Sequence, residues 1–282
     1  MKKTVIIPNV NKDEGLAVTS RVVSRMTDLG FELYVHEEIA RSLDGVIAYS
    51  SFPSQADLIV VIGGDGTVID ASVDAIRFDV PILGVNLGRV GYLTEVEPDD
   101  LDALDELARG NYSVSSKMLL EISCNSEICG NHRFAVNDIV ISHNGYLGIS
   151  NVGLEDSVGN SVRYRADGII LSTPQGSTAY SLSAGGPIVA RDVESIIATP
   201  VCAHSFFNRS VVFNSSEQLR ITNIGSDDLA ISMDGRYASK LPAGDTCVVQ
   251  KSRKVLKMIS FAKNSMFTNL FRKMKMLEDN GK

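Results

Sequence analysis

Asp57 to Ser72 reads DLIVVIGGDGTVIDAS. Leu58 to Ile62 has the length and β-branched content of a buried strand. Two glycines, an aspartate, a third glycine and a threonine follow at once, and Val68 to Val73 can begin a helix. A glycine-rich turn between a strand and a helix exposes backbone N–H groups that suit a phosphate. Gly63, Gly64, Gly66 and Thr67 therefore read as a phosphate-binding loop. Asp65 puts a carboxylate in the middle of it, which a site built only to hold phosphate would avoid. Its expected role is chemical: a base for a hydroxyl, or a carboxylate that helps to hold a metal. The stretch is not a Walker A loop, because no Gly-Lys-Ser/Thr follows at that spacing, and it is not the G-x-G-x-x-G dinucleotide fingerprint. The structural alternative is a tight turn in which Asp or Thr caps a helix.

On either side of this stretch the chain continues in the same style. Thr4 to Pro8 reads as a strand, and Asp13 to Leu29 carries apolar residues at near-helical spacing, with Gly30 as its stop. Phe31 to Val35 is a second strand, so the chain opens with a βαβ unit, and a parallel sheet covered by helices is expected. Val80 to Val85 is a further short strand. Pro98 to Arg109 reads as a helix with acids in its first turn and Gly110 as stop. After Asn111 the pattern changes to short β segments separated by turn residues: Lys117–Cys124, Phe134–His143, Leu147–Leu154, Ser161–Tyr164, Gly168–Ser172, Ser195–Val201, Ser210–Phe213, Gln218–Asn223, Ala230–Met233 and Thr246–Lys251. Ser265 to Leu277 reads as a basic amphipathic helix that packs back on the body. The expected fold is an α/β N-terminal domain with a Rossmann-like parallel sheet over 1–111, a β-rich domain over 112–264 and a C-terminal helix within 265–282.

Composition narrows the functional classes. The 282 residues are 44% hydrophobic and 22% charged, as in globular proteins, and the net charge of −7 argues against a long polyanion as partner. No nucleic-acid partner is expected. No apolar run approaches the roughly 20 residues needed to span a bilayer, so no membrane partner is expected either. MKKTVIIPNV at the start reads as a first strand and not as a signal peptide. Cys124, Cys129, Cys202 and Cys247 form no C-x-x-C pair; they suit reduced thiols in a cytoplasmic protein better than a zinc site. His36, His132, His143 and His204 show no metal-ligand spacing. No protein metal site is expected from either group. The basic run Lys251 to Lys257 reads as a turn or strand edge.

Two further constellations carry chemistry. Arg163 to Val189 reads RYRADGIILSTPQGSTAYSLSAGGPIV, in which a strand enters a turn and a helix rich in small hydroxyl residues. Such residues let a polyhydroxylated ligand approach closely and suit ribose hydroxyls, amides and phosphate oxygens. Asp167 can accept from a sugar hydroxyl or an amine. Arg165, two residues earlier, shares its side of an extended segment and can meet a phosphate. The alternative is a Ser/Thr-rich loop that caps a helix. The second is Asn137-Asp138 inside an apolar strand. That pair is awkward to bury without partners, and alternation separates its side chains unless a bulge or strand end intervenes. A ligand, a turn or a strand edge would each explain it.

Together these stretches resemble the NAD kinase family. The matching segments are GGDGT at Gly63–Thr67, GVNLGRVGYLTE at Gly84–Glu95, VNDIV at Val136–Val140 and ADGIILSTPQGSTAYSLSAGGPIV at Ala166–Val189, with weaker agreement over Pro200–Phe213 and Ser232–Arg236. GGDGT is shared with lipid kinases, whereas TPQGSTAYSLSAGGP is far more specific. The resemblance implies an α/β and a β-rich domain with the site in the cleft between them. It implies transfer of the γ-phosphoryl of ATP, or of polyphosphate, to the 2′-hydroxyl of the adenosine ribose of NAD to give NADP. Asp65 would be the catalytic base. Gly66, Tyr92, Asn137, Asp138, Arg165, Asp167, Thr178, Ala179, Tyr180, Ser181, Leu182 and Ser183 would bind substrate. A divalent cation, normally Mg2+, would accompany ATP, and the chain would form a homodimer or homotetramer. The family commonly has Asn-Glu where this chain has Asn137-Asp138. Asp is shorter by about 1.5 Å, so the strand sits closer to the ribose or a water bridges the gap. The competing readings are a lipid or diacylglycerol-type kinase that shares the loop, and a non-enzymatic dinucleotide-binding regulator.

Overall fold

The computed structural model describes residues 2–88, 91–124, 134–145 and 148–261. The expected helix at Ser265–Leu277 lies outside them, as do Cys129 and His132. The described residues divide into two compact units, one reaching to residue 116 and taking in 256–261, the other lying between 117 and 255.

In chain order the first unit holds β1 (Lys3–Pro8), α1 (Ala17–Asp28), β2 (Glu32–His36), α2 (Glu37–Ala40), β3 (Ile47–Tyr49), β4 (Leu58–Gly63), α3 (Asp65–Phe78), β5 (Ile82–Asn86) and α4 (Ala103–Arg109). Its sheet is parallel, in the order β3-β2-β1-β4-β5. β4 and β5 are buried along their whole length, as expected of central strands covered on both faces. α1 turns Val22, Val23 and Met26 inward onto the sheet. These residues share one apolar core with Ile6, Leu33, Val60, Ile62, Leu83 and Val85.

The remaining elements are β6 (Ser113–Cys124), β7 (Phe134–Ala135), β8 (Asp138–His143), β9 (Ser150–Glu155), β10 (Ser161–Ala166), β11 (Gly168–Ser172), α5 (Tyr180–Ser183), β12 (Ser195–Val201), β13 (Val211–Asn214), β14 (Gln218–Asn223), β15 (Leu229–Met233), β16 (Arg236–Leu241) and β17 (Thr246–Ser260). One antiparallel sheet runs β13-β12-β11-β8-β15-β16. A second antiparallel set runs β10-β9-β14-β17. Between them lies a second core, which includes Leu120, Ile139, Ile141, Tyr164, Ile169, Leu171, Ile196, Ile221 and Val249. It shares no residue with the first.

Several boundaries move from those the sequence suggests. The basic run Lys251–Lys257 is no turn; it lies inside the fifteen-residue β17, where Ser252 and Leu256 are buried and Arg253 and Lys254 are exposed. β17 continues far enough to place Met258 beside Ile82 of β5, so the division between units falls within β6 and β17 and not in a loop. The helix expected from Pro98 begins only at Ala103, after a turn through residues 98–102. The strand expected at Phe134–His143 is interrupted at Val136 and Asn137. Short β3 and β16 have weak apolar patterns that gave no sequence signal. Among the described residues no helix is long and apolar enough to cross a membrane.

Candidate active site

In the first unit the order of strands reverses between β1 and β4: the chain moves outward through β2 and β3, then crosses back to the other side of β1. Ligands of open α/β sheets bind at the carboxyl ends of the strands beside such a reversal. Asn9 follows β1 there. Its N–H donates to the Ile62 carbonyl at 2.8 Å, and its Nδ2 donates to Thr67 Oγ1 at 2.8 Å. Lys12 is exposed, with its ammonium 3.4 Å from the place where a side chain on Gly64 would begin. Gly64 is the N-cap of α3 in extended conformation and offers no capping side chain. The helix cap expected of Asp or Thr is therefore absent, and the glycine turn leaves the first turn of the helix open to an anion.

The Asp65 carboxylate turns instead to the segment after β5. Oδ1 accepts from the N–H groups of Tyr92 and Leu93, both at 2.9 Å, and Oδ2 shares the Tyr92 N–H at 3.0 Å. Oδ2 thus keeps lone-pair capacity beyond one shared contact. Two residues 27 positions apart, Asp65 and Tyr92, are brought together, and Tyr92 is buried. Gly84 on β5 makes this possible: its carbonyl accepts from Glu95 and Val96 N–H, and a Cβ there would lie 2.9 Å from both the Leu93 carbonyl and Thr94 Cα. Asn86 closes the strand end, accepting from Gly88 N–H at 2.8 Å and donating to Glu97 at 3.1 Å.

In the second unit Asn137 stands in the gap between β7 and β8, and Asp138 opens β8, buried. The strand end that frees this pair from simple alternation is therefore present. Asp234, in the β15–β16 turn, accepts from the N–H groups of Val136 at 2.8 Å, Asn137 at 2.7 Å and Asp138 at 3.1 Å. On the other side Thr173 donates its hydroxyl to the Val136 carbonyl at 2.7 Å and its N–H to the Asn137 carbonyl at 2.9 Å. Burial and then the neighbouring Asp234 push Asp138 up to about 7. Burial also raises Asp234, against the pull of its three N–H donors and Arg236.

Arg165 and Asp167 lie exposed on one side of the chain at the end of β10, while Tyr164 and Ala166 point inward. Thr178 is buried, and its hydroxyl donates to the Gln175 carbonyl at 3.2 Å. Ser181 is fully buried, with its hydroxyl bonded to that of Thr199 at 3.0 Å, so this hydroxyl fastens α5 to β12. Ala179 is half-buried; Tyr180, Leu182 and Ser183 are exposed. Sequence reasoning passed over Asn9, Lys12, Thr173 and Asp234 as site residues. Two of them had a signal: Thr173 stands in the hydroxyl-rich segment Arg163–Val189, and Asp234 is an acid next to a glycine within Ser232–Arg236. The described residues contain no group of three or more His, Cys, Asp or Glu side chains able to hold a metal ion.

A glycine-aspartate loop at the reversal of a parallel sheet, in a chain whose second unit is antiparallel, is the architecture of a two-domain protein with a phosphate-binding loop. Residues 4–112 match the ATP-NAD kinase N-terminal domain, and residues 136–261 match the ATP-NAD kinase C-terminal domain. The chain is 38% identical over 280 residues to an NAD kinase of Caldanaerobacter subterraneus subsp. tengcongensis, covering 96% of this chain and 98% of that protein. It is 35% identical over 277 residues to an NAD kinase of Lachnoclostridium phytofermentans, covering 95% and 96%. It superimposes on the crystal structure of yeast NADH kinase complexed with NADH at a TM-score of 0.82, with 24% identity and coverage of 96% and 86%. With an NAD kinase from Archaeoglobus fulgidus in complex with ATP the TM-score is 0.73, with 23% identity and coverage of 97% and 98%. The chain belongs to the ATP-NAD kinase family and is an enzyme of the phosphotransferase class.

Proposed function

We propose that this chain transfers the γ-phosphoryl group of ATP, or a phosphoryl of polyphosphate, to the 2′-hydroxyl of the adenosine ribose of NAD, giving NADP. The observation that carries the reading is the Asp65 carboxylate, fixed at the mouth of a glycine loop by Tyr92 and Leu93 N–H, with Oδ2 left able to accept a proton. Phosphoryl transfer depends on positioning and charge stabilisation more than on covalent help. In this reading Gly63, Gly64, Gly66 and Thr67 admit the donor phosphates to backbone N–H groups, and Lys12 adds a cation beside Gly64. Asp65 orients the acceptor hydroxyl and takes its proton as the new O–P bond forms and the bond from that phosphorus to the bridging oxygen breaks, releasing ADP or the shortened polyphosphate. Asn137, Asp138, Asp167 and the Thr178–Ser183 segment hold the dinucleotide, and Arg165 meets its phosphates.

The donor set also suits a divalent cation of the Mg2+ kind, which takes few protein oxygens and keeps phosphates and waters as its other ligands. Asp65 is the carboxylate that would share it, and the ion would neutralise charge on the donor phosphates. A homodimer or homotetramer, which rests on the family resemblance, and a cytoplasmic setting, which rests on cysteines without a paired pattern, belong to the same proposal. Purified protein incubated with NAD, Mg2+ and either ATP or polyphosphate, with NADP measured, tests the reading. A protein that phosphorylates a lipid acceptor panel and leaves NAD unchanged would overturn it.

A further inference from the structure

Resting on the reading that Asn137 and Asp138 hold the dinucleotide, we propose that Asp234 is a positioning residue, whose carboxylate gathers three successive backbone N–H groups and sets that pair in its binding pose. The gap between β7 and β8 lies outside the ladder, so no strand partner fixes its peptides. Asp234 fixes them from one side through Val136, Asn137 and Asp138 N–H, and its own N–H returns to the Asp138 carbonyl at 2.9 Å. Thr173 fixes the Val136 and Asn137 carbonyls from the other side. Gly176 presses against the same segment so closely that a Cβ would lie 2.0 Å from the Asn137 carbonyl oxygen. Every peptide of the gap is thus held at both its N–H and its C=O, or at one with a wall behind it.

The choice of an aspartate argues for more than tying down a loop. Its backbone sits at φ 49°, a left-handed conformation that Asp and Asn tolerate better than other side chains. Its charge stands next to a second, buried carboxyl on Asp138, and like charges in a poorly hydrated place oppose each other. A hydroxyl or an amide would satisfy one or two of the N–H groups without that repulsion. Only a carboxylate accepts all three from one rigid fork. The arrangement accepts electrostatic cost in return for a fixed Asn137–Asp138 backbone, which a binding site requires of its ligand-facing residues.

Two variants test it. Asp234→Asn keeps the left-handed backbone and one acceptor oxygen, so it loses at least one of the three bonds; Asp234→Ala loses all. In both, amide hydrogen exchange at Val136, Asn137 and Asp138 accelerates while β11 and β12 stay protected. KM for NAD rises by roughly tenfold or more in Asp234→Ala and by less in Asp234→Asn, while KM for ATP and kcat at saturating NAD stay within about threefold. If the alanine variant does not fold, the asparagine variant decides. Unchanged exchange at the three amides sinks the proposal, and so does faster exchange with an unchanged KM for NAD. A fall in kcat with NAD affinity intact would make Asp234 a catalytic residue instead. Wild-type protein that makes no NADP defeats the function proposed above, while the exchange experiment still decides whether the clamp exists.

Discussion

Asp65 anchors the segment after β5 and is the proposed base, and one substitution separates the two roles. Asp65→Asn can keep the Oδ1 acceptor toward Tyr92 and Leu93 N–H and place an amide where Oδ2 was. The loop stays anchored and the base is lost. NAD binding by calorimetry should remain near wild type, and turnover should fall by about 10²- to 10⁴-fold; near-wild-type turnover would falsify the base assignment. Asp138 makes a prediction about stability. Its carboxyl ordinarily titrates near 3.8 and in the fold near 7. Between these values the folded chain keeps a proton that the unfolded chain releases, so its contribution to stability falls as pH rises through that window. Urea unfolding from about pH 5 to about pH 8 should show wild-type stability declining more steeply than that of Asp138→Asn. Equal slopes would mean that the carboxyl titrates normally.

Elements decide whether such residues meet. The segment after β5 reaches Asp65 only because Gly84 has no side chain to hold off Leu93 and Thr94. Gly84→Ala should displace Tyr92 and Leu93 N–H and lower kcat at least as much as it lowers stability, since forcing a methyl into such a gap costs about 1–3 kcal/mol. Activity at wild-type level in a folded Gly84→Ala protein would show that this close approach is dispensable. The strand–loop–helix at Leu58–Phe78 was legible because its apolar run and its glycines are local signals. The cap of α3 was not, because a carboxylate one residue inside a helix can turn inward or away, and the neighbouring loop decides which. Asn137-Asp138 was legible as an anomaly in an apolar strand; its partner Asp234 lies nearly a hundred residues on, a distance that no local pattern spans. The bond between the Ser181 and Thr199 hydroxyls was not legible, because hydroxyls look alike in sequence and this one finds its partner only when β12 is in place.

At the scale of the whole chain, each unit has its own core and its own fully buried central strands: β4 and β5 in the first, β11 in the second. Native-state hydrogen exchange should find the slowest amides there and much faster ones on the edge strands β3, β13 and β16. Edges as protected as the centres would mean that further contacts cover them. Apolar periodicity and glycine placement, which act over a few residues, settled by themselves the α/β half, the β-rich half and the loop that carries Asp65. Tertiary structure alone decided that β17 runs on beside β5, that Tyr92 and Leu93 hold the Asp65 carboxylate, and that Asp234 and Thr173 grip the Asn137–Asp138 backbone. Hydrogen bonds between distant segments depend on register and close approach, and these are fixed only when the sheets have formed and the cores have closed.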